Sequence, residues 1–184
     1  YLELRDKYKD CILFYRLGDF YELFYDQAEL CSRELELTLT GKDCGQEQRA
    51  PMCGIPFHAI NTYIPKMVEK GYKVAICEQV EDPKNAKGLV KRDVVKIITP
   101  GTITDSTMLD EKKNNYIASI IKEKSNIAFS FCDISTGEFK VTSFNGIDSD
   151  IKLINEISRV LPSEVILHDS IKKDISLVGQ ITKL

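Results

Sequence analysis

Residues 18–22, with the sequence GDFYE, place an aromatic ring and a carboxylate two positions apart, at Phe20 and Glu22. A rigid apolar side chain can push between stacked bases and kink a duplex, most easily where base pairing is already faulty. A carboxylate beside it can accept a hydrogen bond from the edge of a base. The segment follows an apolar, strand-like run at 11–15 and opens a run at 21–35 that is typical of a helix.

The same segment also has a purely structural interpretation. Asp19 followed three residues later by Glu22 is the pattern of a helix N-cap with its capping-box partner. Phe20, Leu23 and Phe24 have the i, i+3, i+4 spacing of a buried helix face. Both interpretations place Phe20 in the first turn of a helix, and they differ in whether its ring is exposed or buried.

A second group of candidates lies near residue 133. Asp133, close to the end of a hydrophobic run, and Glu138 could hold metal ions, as carboxylates do in nucleases of the ribonuclease H class. Alternatively, Asp133 and Ser135 form a turn, and Glu138 is a solvent-facing strand residue. The turn is favoured because Asp133 lies on the second strand-like run of its region and no further convincing carboxylate follows. The sequence contains no Walker-type phosphate loop and no nucleophile elbow.

The six cysteines do not form a metal-binding motif. The chain has no Cys-x-x-Cys pair, and the spacing of Cys44, Cys53 and His58 fits no compact zinc site. Three others lie in apolar, strand-like runs, where Cys behaves as a small hydrophobic residue: Cys11, Cys77 and Cys132. We therefore expect reduced thiols, no metal site and a cytoplasmic protein.

Composition limits the class of protein. With 184 residues, 43% of them hydrophobic and 29% charged, the chain is expected to be soluble and to hold one or two domains. No apolar run approaches the roughly 18 residues of a membrane span, and no signal peptide is visible. Since the chain begins at Tyr1, we expect a piece of a longer protein.

The net charge of −3 is unusual for a protein that binds DNA, because phosphate contacts call for clustered lysine and arginine. One segment, 84–96, nevertheless carries a local positive excess. It sets five basic residues against Asp93 alone: Lys84, Lys87, Lys91, Arg92 and Lys96. A solvated loop would explain this pattern as well as a phosphate-binding surface does. We expect the chain by itself to bind DNA weakly.

Helix-like and strand-like runs alternate over the first hundred residues, which predicts an α/β domain with a mixed sheet. The predicted helices are 1–9, 19–34 and 57–69, and the predicted strands are 11–17, 36–40, 72–80 and 93–99. Residues 50–54 form a short apolar segment. The first helix should turn Leu2, Leu4 and Tyr8 inward, and Gly71 stands where a C-terminal cap belongs.

A second domain is predicted after the Pro100-Gly101 turn and a polar stretch. Three strand-like runs at 116–122, 127–134 and 138–144 are joined by hairpin turns. A helix at 148–160, with Ile151, Ile154, Ile157 and Leu161 on one side, and a strand at 164–168 follow. This order is how a ribonuclease-H-like α/β fold begins. The predicted organisation is a domain at 1–99, a linker at 100–115 and an incomplete domain at 116–184.

Four segments, in the same order along the chain, resemble the N-terminal part of the MutS family of DNA mismatch-repair sensors. They are FYRLGDFYELF at 14–24, PMCGIPFHA at 51–59, VAICEQ at 74–79 and VVKIITPGT at 94–102. The resemblance implies that 1–99 is a mismatch-recognition domain and that 116–184 is the first part of a ribonuclease-H-like connector domain. It also implies that the connector domain is not catalytic.

The resemblance further implies a role for individual residues. The wedge that stacks on a mispaired base falls on Phe20, and the carboxylate that contacts this base falls on Glu22. Gly18, with its neighbours Leu17 and Asp19, would line the approach to the minor groove. The remaining residues implied to touch DNA are Arg92 and Lys96, through the backbone, and His58, which could instead cap the helix at 57–69.

For the whole protein, the resemblance implies an ATP- and Mg²⁺-dependent ATPase that acts as a homodimer, binds duplex DNA with mispaired or unpaired bases, and signals to a MutL-type partner. The ATPase segments fall outside this sequence, so we expect no cofactor and no hydrolysis from these residues. Two other functions stay open on the residues alone. One is a metal-dependent nuclease centred on Asp133, and the other is a protein-interaction module without a DNA role.

Overall fold

The computed structural model describes residues 1–45, 48–81, 88, 90–110 and 112–184. They form two compact units, Tyr1–Thr99 and Pro100–Leu184. Each unit is built on its own sheet, and both sheets combine parallel with antiparallel strands. The predicted mixed-sheet α/β class is therefore confirmed. No helix within the described ranges is long and apolar enough to cross a membrane.

The first unit is a six-stranded sheet with the strand order β3-β4-β2-β1-β5-β6. Its elements are α1 (Leu2–Lys7), β1 (Cys11–Leu17), β2 (Phe20–Phe24), α2 (Tyr25–Leu35), β3 (Thr40–Lys42), β4 (Ala50–Pro56), α3 (Ile60–Glu69), β5 (Lys73–Gln79) and β6 (Arg92–Ile98). Among the described strands of this sheet, only β1 and β5 are parallel neighbours. The strand expected at 36–40 is wrong, because strand geometry begins only at Thr40.

The helix expected from residue 19 is also wrong over its first turns. Strand β2 pairs with β1 on one side and with β4 on the other, and α2 begins only at Tyr25. Leu17 lies opposite Phe20, so Gly18 and Asp19 form a two-residue hairpin loop, with Gly18 at φ +57°. Such loops favour a positive φ at their first position. Pairing on both edges and the aromatic content of β2 outweigh the local capping pattern.

Helices α2 and α3 cover one face of this sheet, where Phe14, Leu23 and Ile55 are fully buried. Helix α1 covers part of the other face, because Leu4 and Tyr8 pack with Tyr1 against the strands. Leu2, expected to point inward, is exposed. Next to the β1–β2 hairpin this second face is uncovered. We call this region, which carries Leu17, Phe20, Glu22 and Lys42, the open face.

The second unit has the strand order β10-β7-β8-β9. Its elements are β7 (Tyr116–Glu123), β8 (Asn126–Asp133), β9 (Glu138–Phe144), α4 (Ser149–Val160), β10 (Glu164–Leu167) and α5 (Ile175–Ile181). An antiparallel meander followed by a helix and a strand parallel to β7 matches the predicted start of a ribonuclease-H-like fold. Helix α4 turns Leu153, Ile157 and Val160 inward, whereas Ile151 and Leu161, expected inside, are exposed.

Candidate nucleic-acid interface

The β1–β2 hairpin presents an aromatic ring to solvent. Phe20, the first residue after the loop, is 46% exposed, whereas Tyr21 is buried. Successive residues of a strand point to opposite faces, so Phe20 and Glu22 share the open face. The expected helix would have separated these two side chains by about 200°. The strand instead brings the ring and the carboxylate to the same side.

Both carbonyl groups of the hairpin loop are fixed by residues outside it. The Arg16 Nε atom donates a hydrogen bond of 2.6 Å to the carbonyl oxygen of Gly18. The backbone amide of Phe57 donates one of 2.9 Å to the carbonyl oxygen of Asp19. The guanidinium carbon of Arg16 lies 3.9 Å from the centroid of the Phe57 ring, which joins the two anchors. Phe20 is therefore carried on a well-supported turn.

Two further contacts, both through Glu78, hold the Arg16 side chain in place. Arg16 forms an ion pair of 3.6 Å with Glu78, and the Tyr21 hydroxyl donates a hydrogen bond to the same carboxylate. Burial, and then the contact with Glu78, raise the pKa of Tyr21 to about 12, so its hydroxyl keeps the proton that it donates. The anchoring role of Arg16 was not predicted, because Glu78 is far from it in the sequence.

Glu22 is paired with Lys42, a lysine that the sequence analysis did not single out. The Lys42 ammonium group, on β3, contacts the Glu22 carboxylate and lies 5.6 Å from the centroid of the Phe24 ring. The Glu22 side chain is 14% exposed and that of Lys42 is 38% exposed. Gly54, the β4 residue opposite Glu22, has no side chain, and a Cβ atom there would lie 3.5 Å from Glu22 Cγ. The closest contact of such a Cβ atom would be with the Tyr21 carbonyl oxygen, at 3.0 Å.

An aromatic cleft of about 530 Å³ lies next to this pair and is lined in part by Leu17, Phe24 and Lys42, the partner of Glu22. The Tyr1 ring packs edge-on against Tyr15, with 5.5 Å between centroids, and against Phe24, with 4.9 Å. The open face therefore combines flat apolar surfaces with one ion pair. Such a surface suits planar, stackable groups better than it suits a small charged metabolite.

Arg92 belongs to this side of the sheet, but the structure gives it backbone partners. Its Nε atom donates to the carbonyl oxygen of Arg16 and its Nη1 atom to that of Val90, both at 2.8 Å. Its guanidinium carbon lies 5.4 Å from the centroid of the Tyr15 ring. Arg92 thus ties the end of β6 to β1, in addition to placing a positive charge beside the open face.

A β-bulge separates Lys96 from Arg92. Val94 lies opposite Cys77, but Lys96 lies opposite Ile76, so Val95 is an extra residue between two consecutive partners. As a result the exposed Lys96 side chain lies on the opposite side of the sheet edge from Arg92. Two other basic residues of the predicted segment, Lys84 and Lys87, lie outside the described residues.

His58 lies in a 3-10 turn at Phe57–Ala59, directly after the residue that holds the hairpin loop. It is exposed, and its ring is edge-on to that of Phe57, with 5.8 Å between centroids. Helix α3 begins after Ala59 without a side-chain hydrogen bond at its N-cap. The expectation that His58 caps this helix is wrong, and the residue stands beside the hairpin tip instead.

The carboxylate of Asp133, the candidate metal ligand of a nuclease, is hydrogen-bonded by its own chain, mainly by the turn that follows it. Asp133 is buried, and it accepts hydrogen bonds from the backbone amides of Asn115, Ser135 and Thr136 and from the Ser135 hydroxyl. Burial by itself would raise the pKa of Asp133, but these hydrogen bonds together outweigh it and hold the pKa below its ordinary value. Asp133 is thus the turn former of the alternative interpretation.

No cluster of three or more metal-ligating side chains occurs among the residues that the structure describes. Glu138 is used by its neighbours: it accepts a hydrogen bond of 2.6 Å from the Tyr116 hydroxyl and pairs with Lys140. All six cysteines lie in the described ranges and are free thiols. Burial raises the pKa of Cys31 to about 12, which keeps this thiol protonated.

Comparison with known proteins identifies relatives along the whole chain. The family model for MutS domain I matches residues 1–107, and that for MutS domain II matches residues 115–183. The chain is 58% identical over 181 residues to the DNA mismatch repair protein MutS of Ruminiclostridium cellulolyticum, which covers 98% of this chain and 21% of the relative. It is 61% identical over 168 residues to the protein of that name from Acetivibrio thermocellus, covering 91% and 19%.

A third relative, the DNA mismatch repair protein MutS of Clostridium tetani, is 59% identical over 175 residues, covering 95% of this chain and 20% of the relative. The chain therefore spans about a fifth of the length of the curated relatives that it matches. The matches to domain I contain the hairpin, the open face and Arg92, and the matches to domain II contain the second sheet.

Proposed function

The chain belongs to the MutS family of DNA mismatch-repair proteins, and from this premise we propose that its first unit recognises mispaired or unpaired bases in duplex DNA. The exposed ring of Phe20 at the hairpin tip is the observation that carries the proposal. The ring lies on a braced turn beside the apolar surface of the aromatic cleft, and a contiguous apolar surface of this kind marks a binding site.

In the proposed mechanism Phe20 enters the minor groove and stacks on a base that has lost its partner. Inserting an apolar side chain unstacks one base step and bends the duplex, at a cost of a few kcal/mol that is smallest where pairing is already lost. Stacking on an aromatic side chain returns about 1–3 kcal/mol per base. The anchored loop supports this role, because a flexible tip would lose part of that gain on ordering.

Glu22 is proposed to accept a hydrogen bond from the displaced base. Its position on the same face as Phe20 supports this role, since both side chains can reach one base step without a change in the conformation of β2. A carboxylate close to phosphates is costly unless it is neutralised or bonded. Intact duplex offers no displaced base, so Glu22 is expected to penalise paired DNA more than mismatched DNA.

The other predicted residues take supporting roles in the proposal. Leu17 flanks Phe20 across the hairpin, and Gly18 and Asp19 form the loop that meets the groove. Arg92 is proposed to position the DNA backbone from the same side. Lys96 and His58 are proposed as further DNA contacts, although the bulge at Val95 means that Lys96 approaches from around the sheet edge.

For the longer protein we propose the family's properties as a whole. It would act in the cytoplasm as a homodimer, bind ATP and Mg²⁺, and signal to a MutL-type partner. The ATP and Mg²⁺ would be held by segments beyond domains I and II, because the sequence contains no Walker-type loop. The roles of the present residues are therefore confined to recognising DNA and connecting that unit to the rest.

The test is Phe20→Ala in the intact protein, with dissociation constants measured for a paired duplex and for the same duplex with one unpaired base. We expect the preference for the defective duplex to disappear, because the lost stacking is worth about 1–3 kcal/mol. Phe139→Ala is the matched control, since Phe139 is an exposed phenylalanine on β9 of the second unit. Undiminished preference in the Phe20 variant would refute the proposed function.

A further inference from the structure

The ion pair between Glu22 and Lys42 has a consequence for specificity that rests on the proposed function. Glu22 is the only acidic side chain proposed to reach a base, and in the DNA-free chain its carboxylate is already neutralised by the Lys42 ammonium group. We propose that Lys42 is a specificity-determining residue. It acts through Glu22, as the counter-ion that pairs with this carboxylate whenever no displaced base is present to donate a hydrogen bond to it.

The geometry on both sides of the pair supports this assignment. Lys42 reaches Glu22 from β3, two strands away. It lies opposite Ala50 on β4, four residues before Gly54, which is the β4 residue opposite Glu22. A Cβ atom on Gly54 would lie 3.0 Å from the Tyr21 carbonyl oxygen and 3.5 Å from Glu22 Cγ. Residue 54 is therefore restricted chiefly by the backbone of β2, at Tyr21. The lysine therefore approaches the carboxylate along the open face, past Phe24.

Lys42 also has a second contact that fixes its approach. Its ammonium group lies 5.6 Å from the centroid of the Phe24 ring, on the same face as Glu22. The side chain is thus directed along the open face toward the carboxylate. A lysine held only by solvent would spread over many rotamers and would neutralise Glu22 less completely.

The effect on DNA follows from the charges. On paired DNA no base is displaced, so Glu22 keeps Lys42 as its partner, and the lysine offsets part of the repulsion between the carboxylate and the phosphates. On a defective duplex the displaced base donates to Glu22, and the counter-ion becomes dispensable. Lys42 therefore matters most for binding to paired DNA, which is the opposite of what a simple mismatch contact would do.

The experiment uses Lys42→Met, which keeps the aliphatic length, and Lys42→Arg, which keeps the charge, each with and without Glu22→Gln in the intact protein. We expect Lys42→Met to weaken binding to paired duplex by about fivefold, the upper end of the range for one partly exposed ion pair. Binding to the duplex with an unpaired base should change by no more than about twofold. The preference for the defective duplex should rise, and Lys42→Arg should restore the wild-type ratio.

In the Glu22→Gln background, Lys42→Met should change both duplexes alike, because the carboxylate on which it acts is gone. Equal weakening on both duplexes, whether residue 22 is Glu or Gln, would show that Lys42 only contacts phosphate and would overturn the inference. No effect on either duplex would overturn it too. Lys70→Met is the control, since Lys70 pairs with Glu34 of α2 on the helix-covered face.

The proposed function and this inference fail in different ways. Suppose that Phe20→Ala loses mismatch preference and that Lys42→Met has the same effect on both duplexes. The proposed function would then stand, and only the counter-ion role of Lys42 would be refuted. Full preference in Phe20→Ala would refute the function itself.

Discussion

The guanidinium group of Arg16 stacks on the ring of Phe57, with its central carbon 3.9 Å from the ring centroid, while its Nε atom holds the carbonyl oxygen of Gly18. Phe57 in turn holds the carbonyl oxygen of Asp19 through its own amide. The stack therefore closes a ring of contacts around the two-residue loop. It links the tip of the β1–β2 hairpin to the end of β4.

Arg16→Lys should loosen this loop without changing the net charge. Lysine has no planar group to stack on Phe57 and no fork to hold Gly18, so about 1 kcal/mol of local stability should be lost and the Phe57 amide should exchange about fivefold faster. Mismatch preference should fall in parallel. Arg33→Lys on α2, whose side chain is largely exposed, is the control. Unchanged exchange at the Phe57 amide would show that the stack does not brace the loop.

Glu22→Gln should reduce mismatch preference mainly by improving binding to paired DNA. The substitution removes a negative charge near phosphates and frees Lys42, so we expect the dissociation constant for paired duplex to fall by about fivefold. Binding to the defective duplex should change less, because glutamine can still accept a hydrogen bond. Glu29→Gln, at an exposed position on α2, controls for the change in net charge. Equal changes on both duplexes would contradict the proposed contact.

Arg92→Ala and Lys96→Ala should weaken binding to all duplexes alike. Each lost phosphate contact should flatten the salt dependence of binding by about one unit in the log–log slope. The two variants should differ in stability, because Arg92 holds two backbone carbonyl groups and Lys96 lies exposed on the sheet edge.

Thermal unfolding separates these two roles of Arg92. We expect Arg92→Ala to lose about 1–2 kcal/mol, and Lys96→Ala to unfold like the wild type. An effect confined to defective duplexes in either variant would exclude a role in positioning the DNA backbone.

Asp133→Asn should destabilise the second unit at neutral pH by about 1–3 kcal/mol, because an amide cannot accept the same set of hydrogen bonds from the β8–β9 turn. The folded pKa of Asp133 lies below the unfolded value of about 3.9, so this stabilisation is present above that pH and is lost as the pH falls through the folded pKa. The variant should therefore show a flatter loss of stability in acid.

Denaturant unfolding between neutral and acidic pH measures this difference. Incubating the wild type with Mg²⁺ or Mn²⁺ and labelled DNA or RNA tests the rival function directly. Metal-dependent cleavage that disappears in Asp133→Asn would favour the nuclease over the turn.

The sequence predicted the strands best where the hydrophobic pattern was continuous. Strand β1 begins and ends at the predicted residues, and the meander of the second unit lies within one residue or so of its prediction. These runs contain few residues that would favour a helix or a turn instead of a strand. Segment 20–24 was misassigned because its capping pattern is local, whereas its true partners, β1 and β4, are brought together only by the fold.

The layout of the open face could be predicted only in part for the same reason. Phe20 and Glu22 are neighbours in sequence, so their pairing could be seen directly. The contribution of Lys42 depends on β3 reaching β2 across β4, and that of Arg16 depends on Phe57 and Glu78. The bulge at Val95, which sends Lys96 away from Arg92, has no signal in the sequence.

The alternation of side chains along β2 limits how this region can change during evolution. Its alternation assigns Phe20 and Glu22 to the outside and Tyr21 and Leu23 to the core, so inserting or deleting one residue would exchange the two sets. Point substitutions at the outer positions leave the core untouched. Relatives that differ in mismatch preference should therefore differ in the side chains of β2 and not in its length. Insertions or deletions in β2 should be lost during evolution because they disrupt folding, whatever their effect on DNA binding.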